Sequence, residues 1–276
     1  MAAEIGIVET RNVFKLILDK QGYDFREYSI TYLKRRLEHV LTLQGIRDTD
    51  SLMRKLEQDK SYFNQFLADF VPSTTEMFRD PSLWRYLKET ILPELSKSIS
   101  PIKIWIPTWD SGEDLFSLII TLKEADLLGR AKIFASTYSE LITRNVKAGK
   151  VDQKKMETNE ANYQRFQGKI IFSNYFTPSS DGSLQIKPEL IRNVVFVEQN
   201  ANFDSSVPGC NLILFRNQLI YMNISQEERV IGNLRDSLNT GGFLAIGIKE
   251  NLEHLACGTS FINVNSSEKV YKRKIG

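Results

Sequence analysis

At 276 residues, with 42% apolar and 25% charged side chains, the chain is long enough for two domains and has the composition of an ordinary globular protein. A formal net charge of +2 gives no global argument for nucleic acid or a membrane surface, and no apolar run approaches the ~18 residues of a membrane-spanning helix. His39 and His254 are too few for a zinc site or a catalytic triad, which removes most hydrolase and metalloenzyme mechanisms and leaves no metal site expected. The N-terminus, Met1 to Gly6, has neither a basic n-region nor a long apolar stretch, which argues against secretion. Cys210 and Cys257 lack metal-site spacing and read as small hydrophobes in a reducing cytoplasm.

Residues 10 to about 70 read as helical throughout. Apolar stripes run through Val13, Phe14, Ile17 and Leu18, then Tyr28 to Leu41, then Leu52, Met53 and Leu56, then Phe63 to Phe70, with breaks at Gly22 and Gly45. The second stripe carries Lys34-Arg35-Arg36, a basic patch that is either a solvated face or a docking surface for an acidic, helical partner. Residues 71 to 81 form a polar, proline-bracketed linker, followed by a helix from about Ser82 to Leu95 with Leu83, Trp84, Leu87 and Ile91 inward. The expected division is a helical domain over 1–71, a linker and lead-in helix over 72–100, and an α/β domain over 101–276.

The α/β part is organised around residues 102 to 124. Ile102 to Ile106 reads as a buried strand ended by Pro107, and Leu115, Leu118, Ile119 and Leu122 recur at helical spacing. Asp110 or Ser111 is the expected cap of that helix, and Glu113 and Asp114 suit its first turn. Of a glycine-rich phosphate turn only Gly112 remains, and Trp109 stands where a small residue would let a cofactor approach the backbone. Taken alone, the unit fits a nucleotide-binding sheet or any other βα turn. Ala131 to Ser136 is a second strand, followed at Thr137 by the position where such sheets carry an acid for ribose hydroxyls, and then by a helix from Tyr138 to Ala148. Ile170 to Phe176 and Leu184 to Lys187, around a turn containing Gly182, read as a hairpin forming a small β-subdomain at about 170–190. Strands follow at Val194 to Val197 and Asn211 to Phe215. Ser225 is the expected cap of a helix over Gln226 to Leu238, and Asn239 to Gly242 a turn before the strand Phe243 to Ile246; Val270 to Lys272 is the last strand. This order fits a class I methyltransferase sheet, Rossmann-like and doubly wound, better than a dehydrogenase.

Five separated segments resemble the CheR-type chemotaxis receptor (protein-glutamate) methyltransferases. They are Thr75-Glu76-Met77-Phe78-Arg79-Asp80-Pro81, Ile104-Trp105 with Gly112 to Ser117, Asn200, Arg216 to Tyr221, and Gly241-Gly242 with Gly247 to Asn251. The resemblance implies S-adenosylmethionine as cofactor, S-adenosylhomocysteine as product and receptor glutamates as acceptors. It places Ser73, Thr75, Arg79, Gly112, Glu113, Thr137, Asn200, Ala201, Arg216 and Asn217 around the cofactor, with Glu113 at its amino-acid end and Asn200 beside its adenine. Arg79, Arg216 and Tyr221 fall near the methyl group and the incoming carboxylate. Gly182, in the β-subdomain, and Lys34, Arg35 and Arg36 correspond to regions that meet the receptor.

The departures concentrate on cofactor holding. Thr137 replaces the family's acid, Ser73 its asparagine, Ala201 its leucine, Asn211 the aspartate before the arginine-containing segment, and Pro107-Thr108-Trp109-Asp110 a run of small residues. Loss of one charged hydrogen bond costs ~1.5–3 kcal/mol, about one to two decades in affinity. The residues therefore imply a glutamate methyltransferase with altered cofactor binding, or else a degenerate fold kept as a scaffolding module in signalling.

Overall fold

In a computed structural model the chain is described for residues 5–70, 75–107, 111–137, 139–180 and 182–275. Ser73, Thr108, Trp109, Asp110 and Tyr138 lie outside the described residues. Four helices open the chain: α1 (Ile7–Gln21), α2 (Ile30–Gln44), α3 (Thr49–Gln58) and α4 (Lys60–Phe70). Gly22 and Gly45 end α1 and α2 at φ 73° and 63°, a left-handed conformation that costs glycine little. Asp48 caps α3 by accepting from Ser51 N. The apolar stripe of α2 is buried at Leu33, Leu37, Val40 and Leu41, as its spacing predicts.

After the linker, α5 (Pro81–Tyr86), a π-helical turn (Leu87–Ile91) and α6 (Leu92–Ser96) form one rod leading into β1 (Ile102–Ile106). Then come α7 (Glu113–Glu124), β2 (Ala131–Thr137), α8 (Glu140–Lys147), a 3-10 turn (Gln153–Lys155), α9 (Met156–Phe166), β3 (Phe176–Pro178), β4 (Leu184–Ile186), α10 (Pro188–Ile191), β5 (Val194–Glu198), β6 (Cys210–Phe215), α11 (Ile224–Ser237), β7 (Leu238–Ile246), β8 (Phe261–Asn265) and β9 (Val270–Arg273). The main sheet has the order β5-β2-β1-β6-β7-β9-β8, parallel from β5 to β7 and antiparallel at β9 and β8. A separate antiparallel pair, β3-β4, forms the hairpin. This is an all-α N-terminal domain joined to a Rossmann-like sheet with the antiparallel end expected from the sequence.

Alternation along the strands assigns the two faces. Ile104, Ile106, Ile133 and Leu212 belong to one apolar cluster with α7 and the lead-in rod, whereas Trp105, Ile213, Phe215 and Leu244 belong to a second, with Val230 and Ile231 of α11, that continues to Phe14, Phe25 and Leu37 of the N-terminal domain. The N-terminal domain therefore shares a core with one face of the sheet. Tyr28 fastens it further: its hydroxyl donates to the Ala201 carbonyl at 2.8 Å, and its backbone bridges to Met222.

Several local expectations are corrected. Gly112 at φ 97°, not a side chain, occupies the N-cap of α7, and Ser111 Oγ instead donates to Glu113. A Cβ on Gly112 would lie 2.7 Å from Val146, so glycine there admits the packing of α8. Ser139 caps α8, and Asn223 rather than Ser225 caps α11, each accepting a backbone N–H of the first turn. The first arm of the hairpin is short, because 172–175 form a 3-10 turn with Phe172 and Tyr175 buried in the core. Residues 239–242 belong to the strand run of β7, beside a register shift against β6. β8, whose exposed Ile262 and Val264 give it no one-sided pattern, has no counterpart in the sequence reading.

Candidate functional site

The carboxyl ends of β1, β2, β5 and β6 open towards the N-terminal helices, where ligands of open α/β sheets lie. Two of the expected residues, Arg79 and Arg216, meet at the β1 and β6 ends. Arg216, at the end of β6, has a fully buried side chain whose guanidinium pairs with Asp114 at 2.8 Å and Asp80 at 2.7 Å. It also donates to the carbonyl of Arg79 at 3.0 Å, with Trp84 alongside at 5.5 Å from its ring centroid. Burial raises the Asp114 pKa, against the pull of Arg216 and then Arg79. Arg216 thus ties the end of the linker to the first turn of α7.

Glu113, the first residue of α7, is buried where the helix N-terminus favours an anion. Lys155 pairs with it at 2.8 Å and also donates to the carbonyl of Thr75, so the start of α9, the linker and α7 converge on one carboxylate. Asn217 sits at φ 57°, held by its N–H on Glu250. That buried carboxylate also accepts from the N–H groups of Gly247 and Leu219, and so shapes the turn that carries Tyr221. The Tyr221 ring stacks on Tyr32 of α2 at 4.2 Å, and its carbonyl accepts from Ser29 N. Arg79, through its carbonyl, and Tyr221 are therefore anchored on the same segment, Arg216–Tyr221.

Thr137 ends β2, buried, paired in register with Glu198 of β5. It borders a cavity of about 530 Å³ lined also by Tyr23, Glu140, Arg144, Lys147, Phe196 and Gln199. Burial, followed by the charges of Glu140 and Glu198, pushes the Tyr23 phenol up. Asn200 is exposed and spends its amide on its own loop, accepting from Asn202 N and Asp204 N and donating to Asp204. Gln199, buried beside it, holds the same loop through Asn200 N and Ser205 N. Ala201 contributes its carbonyl to Tyr28.

Of the basic patch, Arg36 caps the end of α4 through the carbonyls of Asp69 and Phe70, and Lys34 pairs with Glu38 at 3.6 Å. Arg35 is exposed on α2. Gly182 turns the hairpin at φ 80°.

The sequence matches the CheR methyltransferase SAM-binding domain over residues 73–270 and the CheR methyltransferase all-alpha domain over residues 9–71. The chain belongs to the CheR methyltransferase family. It is 30% identical to the Cher3 protein of Pseudomonas putida, over 96% of this chain and 97% of that one. It is 26% identical to a chemotaxis protein methyltransferase of Vibrio parahaemolyticus, over 91% and 90% of the two chains, and 27% identical to chemotaxis protein methyltransferase 1 of Pseudomonas aeruginosa, over 88% and 90%. This CheR chain is a methyltransferase, and its cofactor is S-adenosylmethionine.

The residues present fit that cofactor. A buried carboxylate that already accepts an ammonium, Glu113, suits the amino end. The cavity beyond Thr137 is of small-molecule size, and Glu140 and Glu198 give it acids that can accept sugar hydroxyls. The sequence reading missed Lys155, Glu140, Glu198 and Tyr23. Glu198 of β5 lies in register with Thr137, where an acid was expected, a juxtaposition visible only once the register is known. Among the described residues no helix is long and apolar enough to cross a membrane.

Proposed function

We propose that the chain transfers a methyl group to side-chain carboxylates, the glutamates of an acidic, helical receptor or signalling protein. The observation that carries this reading is the chemistry of the mouth, where carboxylates, cations and tyrosines gather while both histidines lie elsewhere. His39 is on α2, near Arg36 and Asp69, and His254 bonds Asn251 and Glu227. An alcohol or amine acceptor calls for a general base, whereas a glutamate is already anionic at neutral pH. When bound, S-adenosylmethionine supplies a methyl already activated on a sulfonium. The work left to the chain is alignment, which can supply ~7 kcal/mol or more.

In this reading Arg216 does not grip the acceptor, since Asp80 and Asp114 hold its guanidinium. It fixes the Arg79 segment against α7. Arg79 draws the incoming carboxylate by charge, and Tyr221, steadied by Tyr32, orients it. A tight clamp would blunt the nucleophile, so an arginine whose field is shared with Asp114 suits the task. Arg35 and its neighbour Lys34 offer positive charge to the acidic helix, while Arg36 is a structural cap.

The test is methyl transfer from labelled S-adenosylmethionine to an acidic helical receptor fragment. Label released as methanol by mild base marks a carboxyl ester, and Arg79→Ala should cut its formation at least tenfold. Label that survives base would rule out the carboxylate acceptor.

A further inference from the structure

Lys155 ends the short 3-10 turn before α9, yet its ammonium reaches the mouth of the cleft. Its Nζ lies 2.8 Å from Glu113 Oε1 and 2.8 Å from the Thr75 carbonyl oxygen, while Ser111 Oγ donates to the other carboxylate oxygen. Both oxygens of Glu113 are thus held by the chain itself. The Lys155 side chain is 21% exposed against 6% for Glu113, so the lysine has a route to water that the carboxylate lacks.

We propose that Lys155 is an internal competitor of the cofactor: its ammonium occupies on Glu113 the position that the α-ammonium of S-adenosylmethionine takes, and the donor seats as Lys155 swings out. This rests on the reading of Glu113 as the holder of the cofactor's amino end. The exchange replaces one ammonium by another on the same buried carboxylate, which stays compensated in both states. Affinity is then the difference between two similar ion pairs, not the full worth of either. Departure of Lys155 also frees the Thr75 carbonyl, at the start of the segment that Arg216 grips at its other end. Donor entry would thereby loosen the strap beside which the acceptor arrives.

Calorimetry separates the possibilities with two probes: S-adenosylhomocysteine, which carries the amino-acid end, and 5′-methylthioadenosine, which lacks it. Lys155→Met keeps the apolar stem and removes the competitor. It should tighten S-adenosylhomocysteine roughly ten- to a hundredfold and leave methylthioadenosine unchanged. Lys155→Arg, which retains a cation, should remain close to wild type, and thermal melts of the unliganded variants confirm folding. Unchanged or weaker binding of S-adenosylhomocysteine to Lys155→Met overturns the proposal, as does equal tightening of both probes, which would mean a cleft merely opened. Binding of neither probe to any of the proteins overturns the cofactor-site reading itself.

Discussion

At its N-terminal end α7 buries Glu113, held by a lysine from a short turn and a serine hydroxyl; at its C-terminal end it buries Glu124, held on several sides at once. Glu124 accepts from the hydroxyls of Tyr163 and Tyr175 and from Lys169 N, with Lys88 at 3.4 Å. The helix dipole assists the first carboxylate and opposes the second, so the second needs the denser set of donors. Glu124 pins α9 and the approach to the hairpin onto the helix in a fixed arrangement. Glu113 has one charged partner, which another ammonium can replace. One helix thus carries a permanent joint at one end and an exchangeable one at the other.

The most direct way to break this contrast is Glu124→Ala. It removes the shared acceptor of two phenols, a backbone N–H and a lysine, of which Tyr163 and Lys88 keep a carbonyl partner, and should cost ~3 kcal/mol in a denaturant titration. A loss under 1 kcal/mol would mean that the joint is not permanent. Glu113→Gln should lower stability by only about 1 kcal/mol, because Lys155 can turn to water, while weakening S-adenosylhomocysteine at least tenfold by calorimetry.

Alkaline pH probes the permanent end through its two phenols, and a tyrosine variant separates their share from that of other raised groups. Burial, then the hydrogen bond to Glu124, pushes the Tyr163 phenol up to about 12, and burial pushes Tyr175 up as well. An unfolded phenol ionises near pH ~10 while the folded one keeps its proton, so this contribution is complete below pH ~10 and is lost as pH climbs towards 12. Denaturant midpoints should fall across that window in the wild type and fall less in Tyr163→Phe. The smallest effect is expected from Ser111→Ala, which removes one hydroxyl from Glu113 and should change the melting free energy by about 1 kcal/mol or less.

Local signals and distant ones were legible to different degrees. β1, α7, β2 and β6 follow directly from periodicity, because a strand or helix must present its apolar side to the core whatever its partner. Caps were read less well: Asn223 and Ser225 are equally good cap residues, and only the start of α11 decides between them. The site was legible as a set of residues but not as a set of bonds. Arg216 finds its partners 102 and 136 positions away, and Lys155 reaches Glu113 across 42. No spacing rule reports such pairs. The local bonding of Asn200 was legible, since Asn200, Asn202 and Asp204 make a polar turn able to engage its amide.

That Phe14, Phe25 and Leu37 share one apolar cluster with Trp105, Phe215 and Leu244 has a practical corollary. Clipping the chain at the linker to obtain a smaller catalyst would cut through this continuous apolar cluster and leave Ala201 without its tyrosine bolt. The helical portion is in this sense part of the sheet's own support, and a truncated catalyst is expected to lose stability along with it.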